Sequence, residues 1–249
     1  MTADAQGRFT SLELFCGIGG TAWGLHLAGF NVIGSDIVDF SKVFPAPMTW
    51  GGAMDWEEAL DKFAGQADLL TAGPPCQFAS GMCDSRPGLA ETYPNLIGPV
   101  REAFQATGKP YVIENVHKAG PWLQDPIMTC GWTMGRDIYQ HHLWEANFPL
   151  KEEPHRKHVT RASKAGHWEP GTFVSVAGHC APMAECRRVM EIGWGNRDGL
   201  AEAVPPYMVS EWIAPQAIAY LKQRAAAGPR QPRRFKRAGH PVALPAGSR

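Results

Sequence analysis

Residues 9–36, which read FTSLELFCGIGGTAWGLHLAGFNVIGSD, decide the fold. The run 9–15 is apolar and β-prone, and a glycine-rich turn follows it directly. Trp23 and Leu27 then recur at helical spacing, and 31–37 is a second short apolar run. Strand, glycine-rich turn, helix and strand in this order are typical of an α/β protein with a doubly wound sheet.

Four later stretches are predicted to be strands. They are 67–73, 111–116, 141–148 and 172–178. The rest of 119–200 is rich in Trp, His, Gly and Pro without clear periodicity, which indicates loops. A helix is predicted within 200–223, after the break at Pro205 and Pro206. We expect a mainly parallel sheet with helices on both faces and functional residues at the carboxyl ends of its strands.

The composition is that of a soluble globular protein with one sizeable core. Of 249 residues, 44% are hydrophobic and 19% charged, and no apolar run reaches the roughly 18 residues of a membrane span. The start of the chain lacks the pattern of a secretory signal, so we expect a cytoplasmic protein whose six cysteines are thiols. A net charge of +0 gives no general attraction to nucleic acid.

Basic residues are concentrated at the end of the chain. No acidic residue follows Glu211, whereas the basic residues after it include Lys222, Arg224, Arg230, Arg233, Arg234, Lys236 and Arg237. We predict a disordered tail over 225–249, and a phosphate-binding arm is the alternative.

The glycine-rich turn predicts a ligand site. Small residues let backbone N–H groups approach a carboxylate or phosphate at the start of a helix. Asp36, at the end of the next strand, can accept hydrogen bonds from two ribose hydroxyls. The pattern fits a nucleoside-containing cofactor, although a simple tight turn or a nicotinamide site would show it too.

Cys76 lies in a more specific pattern, Pro74-Pro75-Cys76-Gln77, directly after an apolar strand. The two prolines stiffen the loop and present the thiol at a defined point. A single cysteine is more often inert packing, but this setting favours a nucleophile.

A carboxylate, Glu114 of Glu114-Asn115-Val116, follows another predicted strand and emerges at the same sheet edge. A protonated glutamate can hydrogen-bond a pyrimidine ring nitrogen while a thiolate attacks the adjacent carbon. Taken alone, Glu-Asn at a strand end is more often a turn or capping pair.

These motifs together resemble the DNA cytosine carbon-5 methyltransferases, most closely the short phage-type members. FCGIGG, GPPCQ and ENV occur in the family's order. The likeness extends through Cys130-Gly131, Gly135 and 145–148 to EIGWGNRDGLAEAVPPYMVSEW near the end, and so spans residues 9–221. It implies a Rossmann-like fold and a methyltransferase activity that depends on S-adenosylmethionine.

The resemblance implies methyl transfer to carbon 5 of a cytosine flipped out of DNA, since the reacting carbons cannot be reached inside the stack. Cys76 would add to carbon 6 and Glu114 would protonate ring nitrogen 3. The implied catalytic residues are Cys76, Glu114, Asn115, Pro75, Gln77, His142 and Gln140. The implied cofactor-binding residues are Phe15, Cys16, Gly17, Ile18, Gly19, Gly20, Asp36, Ile37, Ala53, Met54 and Pro74.

The chain departs from the family pattern at two points. The adenine-contacting turn normally carries an acidic residue, whereas 51–55 reads GGAMD, so either backbone amides or a shifted Asp55 serve there. Gln140 and His142 replace a pair of arginines. Both can donate to cytosine oxygen 2 or to a phosphate, but neither carries a fixed guanidinium charge, and His142 is alternatively an ordinary strand histidine.

Little chain is available for target recognition, because the segment between Phe148 and Glu191 is short. It holds a basic and aromatic patch, either a nucleic-acid contact or a solvated loop: His155, Arg156, Lys157, His158, Arg161, Lys164, His167 and Trp168. His179, Cys180 and Cys186 lack zinc-ligand spacing, so no metal is predicted.

The predicted organisation follows from these assignments. Residues 1–148 form the cofactor-binding and catalytic core, 149–190 a small irregular lobe, and 191–224 a segment that completes the core, before the tail at 225–249. We expect a cytoplasmic monomer, with a phage-infected host as one setting, that modifies DNA as part of phage biology or restriction-modification. Alternatives are a relative acting on RNA, transfer of a modified one-carbon group, a non-catalytic nucleic-acid-binding protein, and a nicotinamide oxidoreductase, which leaves Cys76 without a role.

Overall fold

The structure, a computed structural model, describes residues 3–79 and 93–227. Seven strands form one sheet. In chain order they are β1 (Thr10–Leu14), β2 (Asn31–Asp36), β3 (Thr49–Ala53), β4 (Leu69–Ala72), β5 (Tyr111–Val116), β6 (Ile127–Cys130) and β7 (His141–Ala146).

The strand order is β3-β2-β1-β4-β5-β7-β6. The first five strands in the chain pair in parallel, and β7 pairs antiparallel with both β5 and β6. Because β7 runs opposite to β5, its first residues lie at the carboxyl edge of the parallel strands, with His142 opposite Val116. The predicted mainly parallel α/β sheet is therefore confirmed.

The described helices surround the sheet. They are α1 (Gly20–Leu27), α2 (Trp56–Phe63), α3 (Ile97–Thr107), α4 (Met183–Met190), α5 (Arg197–Glu202), α6 (Pro206–Met208) and α7 (Ala214–Ala226). A π-helical segment, Val209–Ile213, joins α6 to α7. Pro215 lies in the first turn of α7, where its missing N–H would have bonded one turn back, and such positions favour a local change of helical pitch.

Two hydrophobic clusters lie on the two faces of the sheet. One packs α1 and α7 against the sheet and includes Leu25, Trp144 and Leu221. The other packs α2 and α3 and includes Leu60 and Phe104. Helices on both faces were predicted, because the strands of a parallel sheet are apolar on both sides.

The strand predicted at 172–178 is wrong. Only single-residue bridges occur there, from Phe173 to Ala162 and from Val174 to Ile138. Val174 and Val176 of this stretch instead join a small cluster with Cys186 and Met190 of α4, so their apolar character reflects local burial rather than strand pairing. Two strands, β3 and β6, were not predicted, because each is short and gains its pairing from a neighbour in the sheet.

Within the lobe predicted at 149–190, α4 is the one helix, and 149–182 is irregular throughout its described length. The proposed boundaries remain predictions. Most of the basic tail, from 228 onward, lies outside the described residues. None of the described helices has the length and apolar character needed to cross a membrane.

Candidate active site

The glycine-rich loop between β1 and α1 turns sharply. Phe15, Gly17 and Gly19 all have positive φ, at 58°, 50° and 87°. Glycine adopts this conformation without strain, while Phe15 must be held there by its surroundings. A Cβ at Gly17 would meet nothing within 4 Å among the described residues, so open space adjoins the loop.

Asp36, at the end of β2, organises this loop. One carboxylate oxygen accepts a hydrogen bond from the Gly17 N–H at 2.9 Å, and the other accepts from the Val38 N–H at 3.0 Å. Its carbonyl accepts from the Met54 N–H at 3.0 Å. These contacts bring the predicted residues Gly17, Asp36 and Met54 together, and Ala53 is exposed beside them.

The cofactor predicted from the sequence fits this arrangement. A carboxylate has about four acceptor positions, so Asp36 retains capacity for ribose hydroxyls after accepting two amides. The adjacent Ile37 is 69% exposed and offers an apolar surface to a base. Cys16 and Ile18, in contrast, are buried, so only their backbone can contact a ligand.

The C-terminal part of the chain clamps the same loop. The Trp194 indole N–H donates to the Ile18 carbonyl at 2.7 Å. The Ile18 side chain occupies space left by Gly195 and Gly199, where an added Cβ would lie 2.9 and 2.8 Å from it. Gly20 packs directly against the backbone of Val204. The sequence likeness included this segment, but the role of Trp194 was missed because its partner is remote in sequence.

Cys76 follows β4 in the loop predicted to hold the nucleophile. The Gly73 N–H donates to the Leu14 carbonyl at 3.3 Å, which ties the start of this loop to β1. The Ala79 N–H donates to the Cys76 carbonyl at 2.9 Å and closes the turn Gln77–Ala79. Cys76 is partly exposed.

Asn115 joins the Cys76 loop to the end of β5. Its side-chain amide donates to the Pro74 carbonyl at 2.9 Å, and the residue is only 1% exposed. A Cβ on Gly73 would lie 3.2 Å from a Glu114 carboxylate oxygen, so the absence of a side chain there gives the carboxyl its room. The predicted residues Pro74, Glu114 and Asn115 therefore meet at one sheet edge.

Glu114 is paired with His142 across β5 and β7. The histidine Nδ1 lies 2.6 Å from a Glu114 carboxylate oxygen, and both side chains are largely buried. The His142 Nε2 is also buried, without a hydrogen-bond partner among the described residues. Gln140 is directed elsewhere, since its amide nitrogen lies 3.4 Å from the Ala203 carbonyl.

Two ionisable groups of the first strand and loop are buried, and the sequence did not single out one of them, Glu13. Glu13 is 3% exposed, and burial raises the pKa of its carboxyl well above the ordinary value, with the charges of Asp36 and Glu114 adding to the rise. The sequence feature that indicates this burial is the position of Glu13 inside an apolar strand. Burial also raises the pKa of the Cys16 thiol, which disfavours thiolate there and distinguishes Cys16 from the partly exposed Cys76.

The predicted basic patch is only partly assembled as a surface. Arg156, Lys157, Arg161 and Lys164 are exposed. His155, which is also exposed, and the half-buried His158 contact the side chains of His141 and Cys130.

Comparisons with known proteins agree with the motifs. Residues 9–119 match the family model for C-5 cytosine-specific DNA methylase, which confirms the resemblance over this part of the chain. The Type II methyltransferase M.AplI of Arthrospira platensis is 30% identical over 96 residues. That match covers 36% of this chain and 28% of M.AplI, so it spans less than a third of the relative.

Two solved structures share the fold. The methyltransferase EhMeth of Entamoeba histolytica superposes with a TM-score of 0.52 at 12% identity, covering 88% of this chain and 99% of that chain. The S. pombe Dnmt2 methyltransferase gives 0.51 at 13%, with the same two coverages. The predicted methyltransferase-type α/β fold is confirmed.

Proposed function

We propose that this chain methylates carbon 5 of a flipped-out cytosine in DNA, with S-adenosylmethionine as methyl donor and Cys76 as nucleophile. The observation that carries the proposal is the hydrogen bond from Asn115 to the Pro74 carbonyl. It holds the nucleophile loop against the strand end that presents Glu114. The match of residues 9–119 to C-5 cytosine-specific DNA methylase supports the same assignment.

The loop 15–20 would hold the methionine part of the cofactor through its backbone, and Asp36 would hold the ribose. Ile37, Ala53 and Met54 would lie beside the adenine. When bound, S-adenosylmethionine supplies an electrophilic methyl group on a sulfonium. The positive φ angles of Phe15 and Gly17 are already present without a ligand, so the loop is preorganised for cofactor binding.

Cys76 acts as a thiolate that forms a bond to carbon 6 of the cytosine. The electrons of the carbon 5–carbon 6 double bond move toward ring nitrogen 3, where Glu114 places a proton, and carbon 5 becomes nucleophilic. After carbon 5 has been methylated, its proton passes to solvent, which restores the double bond and expels the Cys76 sulfur, and the proton on ring nitrogen 3 returns to Glu114. The chain thus returns to its starting state.

His142 is a positioning residue for Glu114. Its Nδ1 lies 2.6 Å from a carboxyl oxygen of Glu114. This hydrogen bond fixes the orientation of the Glu114 carboxyl and stabilises a charge on either of the two side chains. An imidazole therefore occupies the place where the family has an arginine, whereas the amide nitrogen of Gln140 lies against the Ala203 carbonyl. A contact of Gln140 with the substrate stays a prediction. Asn115 positions the loop of Pro74 and Pro75 and so acts through Cys76.

DNA is the proposed partner, and the exposed cations of 156–164 are the proposed phosphate contacts. M.AplI is a Type II methyltransferase, and we infer a comparable base-modifying role for this chain, with sequence discrimination by the lobe 149–190. The basic tail would add a salt-sensitive contribution to binding. We expect the protein to act as a cytoplasmic monomer.

A mechanism-based trap tests the proposal. The protein is incubated with duplex DNA that contains 5-fluorocytosine, together with S-adenosylmethionine, and its intact mass is measured after denaturation. The fluorine blocks the final elimination, so a covalent adduct should form and map to Cys76. Cys76→Ala should give no adduct while retaining cofactor binding, and Cys180→Ala, which alters another partly exposed cysteine, should behave like the wild type.

The contrary outcomes are distinct. An adduct with 5-fluorocytosine RNA but not with DNA would reassign the substrate and keep the covalent mechanism. No adduct with either, while calorimetry shows cofactor binding, would overturn nucleophilic catalysis by Cys76.

A further inference from the structure

Four metal-ligating side chains converge beside the candidate active site. Cys130 is the last residue of β6 and His141 the first of β7, and the two are directly opposite each other in the antiparallel pair. His155 and His158 reach them from the irregular segment that follows. The sulfur and one ring nitrogen from each histidine all lie within 4.8 Å of one another.

The shortest separations match a tetrahedral metal site. The Nε2 atoms of His141 and His155 are 3.1 Å apart, and the Cys130 sulfur is 3.4 Å from the His158 Nε2. With zinc bonds of about 2.3 Å to sulfur and about 2.0–2.1 Å to nitrogen, a tetrahedron places two nitrogens about 3.3 Å apart and sulfur about 3.5 Å from nitrogen. All pairs of donor atoms lie within 4.8 Å, so the widest would have to approach by at most about 1.5 Å to reach these separations.

The chemistry of the donors narrows the choice of ion. One thiolate with three imidazoles is a borderline-soft set that suits zinc, and magnesium and calcium prefer oxygen ligands. Four protein ligands leave no open position for water or substrate. Such closed sites are structural rather than catalytic.

The four side chains join the edge of the sheet to an irregular segment of the chain. Residues 149–182 contain neither helix nor strand in the structure, so few backbone ladders fix them. Two donors come from the sheet edge and two from this segment. The Tyr139 ring stacks on His158 with centroids 3.7 Å apart, and its hydroxyl accepts from the Thr160 N–H at 2.8 Å, which orients the segment further.

We propose that Cys130, His141, His155 and His158 bind one Zn²⁺ that fastens the lobe to the catalytic edge of the sheet. His142, the partner of Glu114, is the next residue after His141 on β7. The metal would therefore fix the position of the lobe relative to the residues that present the substrate. Zinc binding is independent of the proposed reaction, because it is inferred from the donor geometry, whereas the effect on substrate placement rests on the proposed function.

Metal analysis is the first test. Protein purified without a metal-chelate column should contain close to one zinc per chain by plasma mass spectrometry. Cys130→Ser and His158→Gln should each lose most of it. Cys180→Ser and His167→Gln, which alter a cysteine and a lobe histidine outside the cluster, should retain it.

A second measurement uses only the wild-type protein, so its result does not depend on whether the variants fold. Reduced, metal-free wild-type protein is titrated with Co²⁺, whose absorption reports thiolate ligation and tetrahedral geometry. Saturation at one equivalent, reversed by Zn²⁺, is expected, together with slower proteolysis within 149–182. Absence of zinc in the purified protein together with no cobalt–thiolate band would overturn the proposal. So would full zinc content in the two ligand variants.

Discussion

Substitution of Gly24 in α1 tests how closely this helix packs against α6 and the π-helical segment that follows it. A Cβ at this position would lie 2.5 Å from the Pro206 carbonyl oxygen and 2.6 Å from the Val209 Cβ. Real Cβ contacts are essentially never shorter than 3.0 Å. Gly24→Ala therefore requires α1 and α6 to move apart.

The expected magnitude is a difference of two effects. In an exposed helix interior, replacing glycine by alanine stabilises by about 1 kcal/mol. Overpacking a close contact costs about 1–3 kcal/mol, and we take the upper end because a backbone oxygen and a neighbouring Cβ are met together. The net expectation is a loss of about 2 kcal/mol, which lowers the melting temperature of a chain this size by about 4–8 °C.

Urea and thermal unfolding followed by circular dichroism measure the effect. Gly98→Ala in α3 is the matched control, because a Cβ there would meet none of the residues that the structure describes within 4 Å, and it should be neutral or stabilising by up to about 1 kcal/mol. If Gly24→Ala were as stable as wild type or as Gly98→Ala, the close packing of α1 on α6 would be refuted.

Three further changes probe the buried polar groups. Arg101→Ala should destabilise by about 3–5 kcal/mol in urea unfolding, because it leaves Glu145 buried without the guanidinium that binds it at 2.6 Å; a loss below about 1 kcal/mol would contradict this. Glu13→Gln should become more stable relative to the wild type as the pH rises above 4.5, because the buried Glu13 carboxyl has a raised pKa and its ionisation disfavours folding. If the two proteins differed in free energy of unfolding by the same amount at pH 5 and pH 8, this reasoning would be refuted. His142→Ala should lower kcat by about 10- to 150-fold, equivalent to a charge-assisted bond of about 1.5–3 kcal/mol, and alter the pH profile; a change in stability alone would rule out positioning of Glu114.

The cofactor loop shows how far local sequence carries the prediction. Apolar runs and helical spacing in 9–36 were sufficient for β1, α1 and β2, because each element is built from neighbouring residues. The same reasoning failed at 172–178, where alternating apolar residues pack on α4 and find no strand to pair with. Both stretches bury apolar residues, and only the presence of a partner strand distinguishes them.

The cysteines show the corresponding limit for the site. Pro74-Pro75-Cys76-Gln77 was recognisable because adjacent residues make that loop. The prediction that no metal binds rested on the spacing of His179, Cys180 and Cys186. It did not consider the two rings and the thiol that meet His141, because these positions are spread along the chain. Their proximity results from the antiparallel pairing of β6 with β7.

The sequence by itself therefore determined the α/β class, the order of the central elements and the motif residues at the strand ends. It did so because periodicity, turns and short motifs are local properties. Only the tertiary structure decided that His142 pairs with Glu114, that Trp194 holds Ile18, and that Cys130 faces three imidazoles. These contacts join residues remote along the chain, and strand order and helix packing, which no local pattern specifies, bring them together.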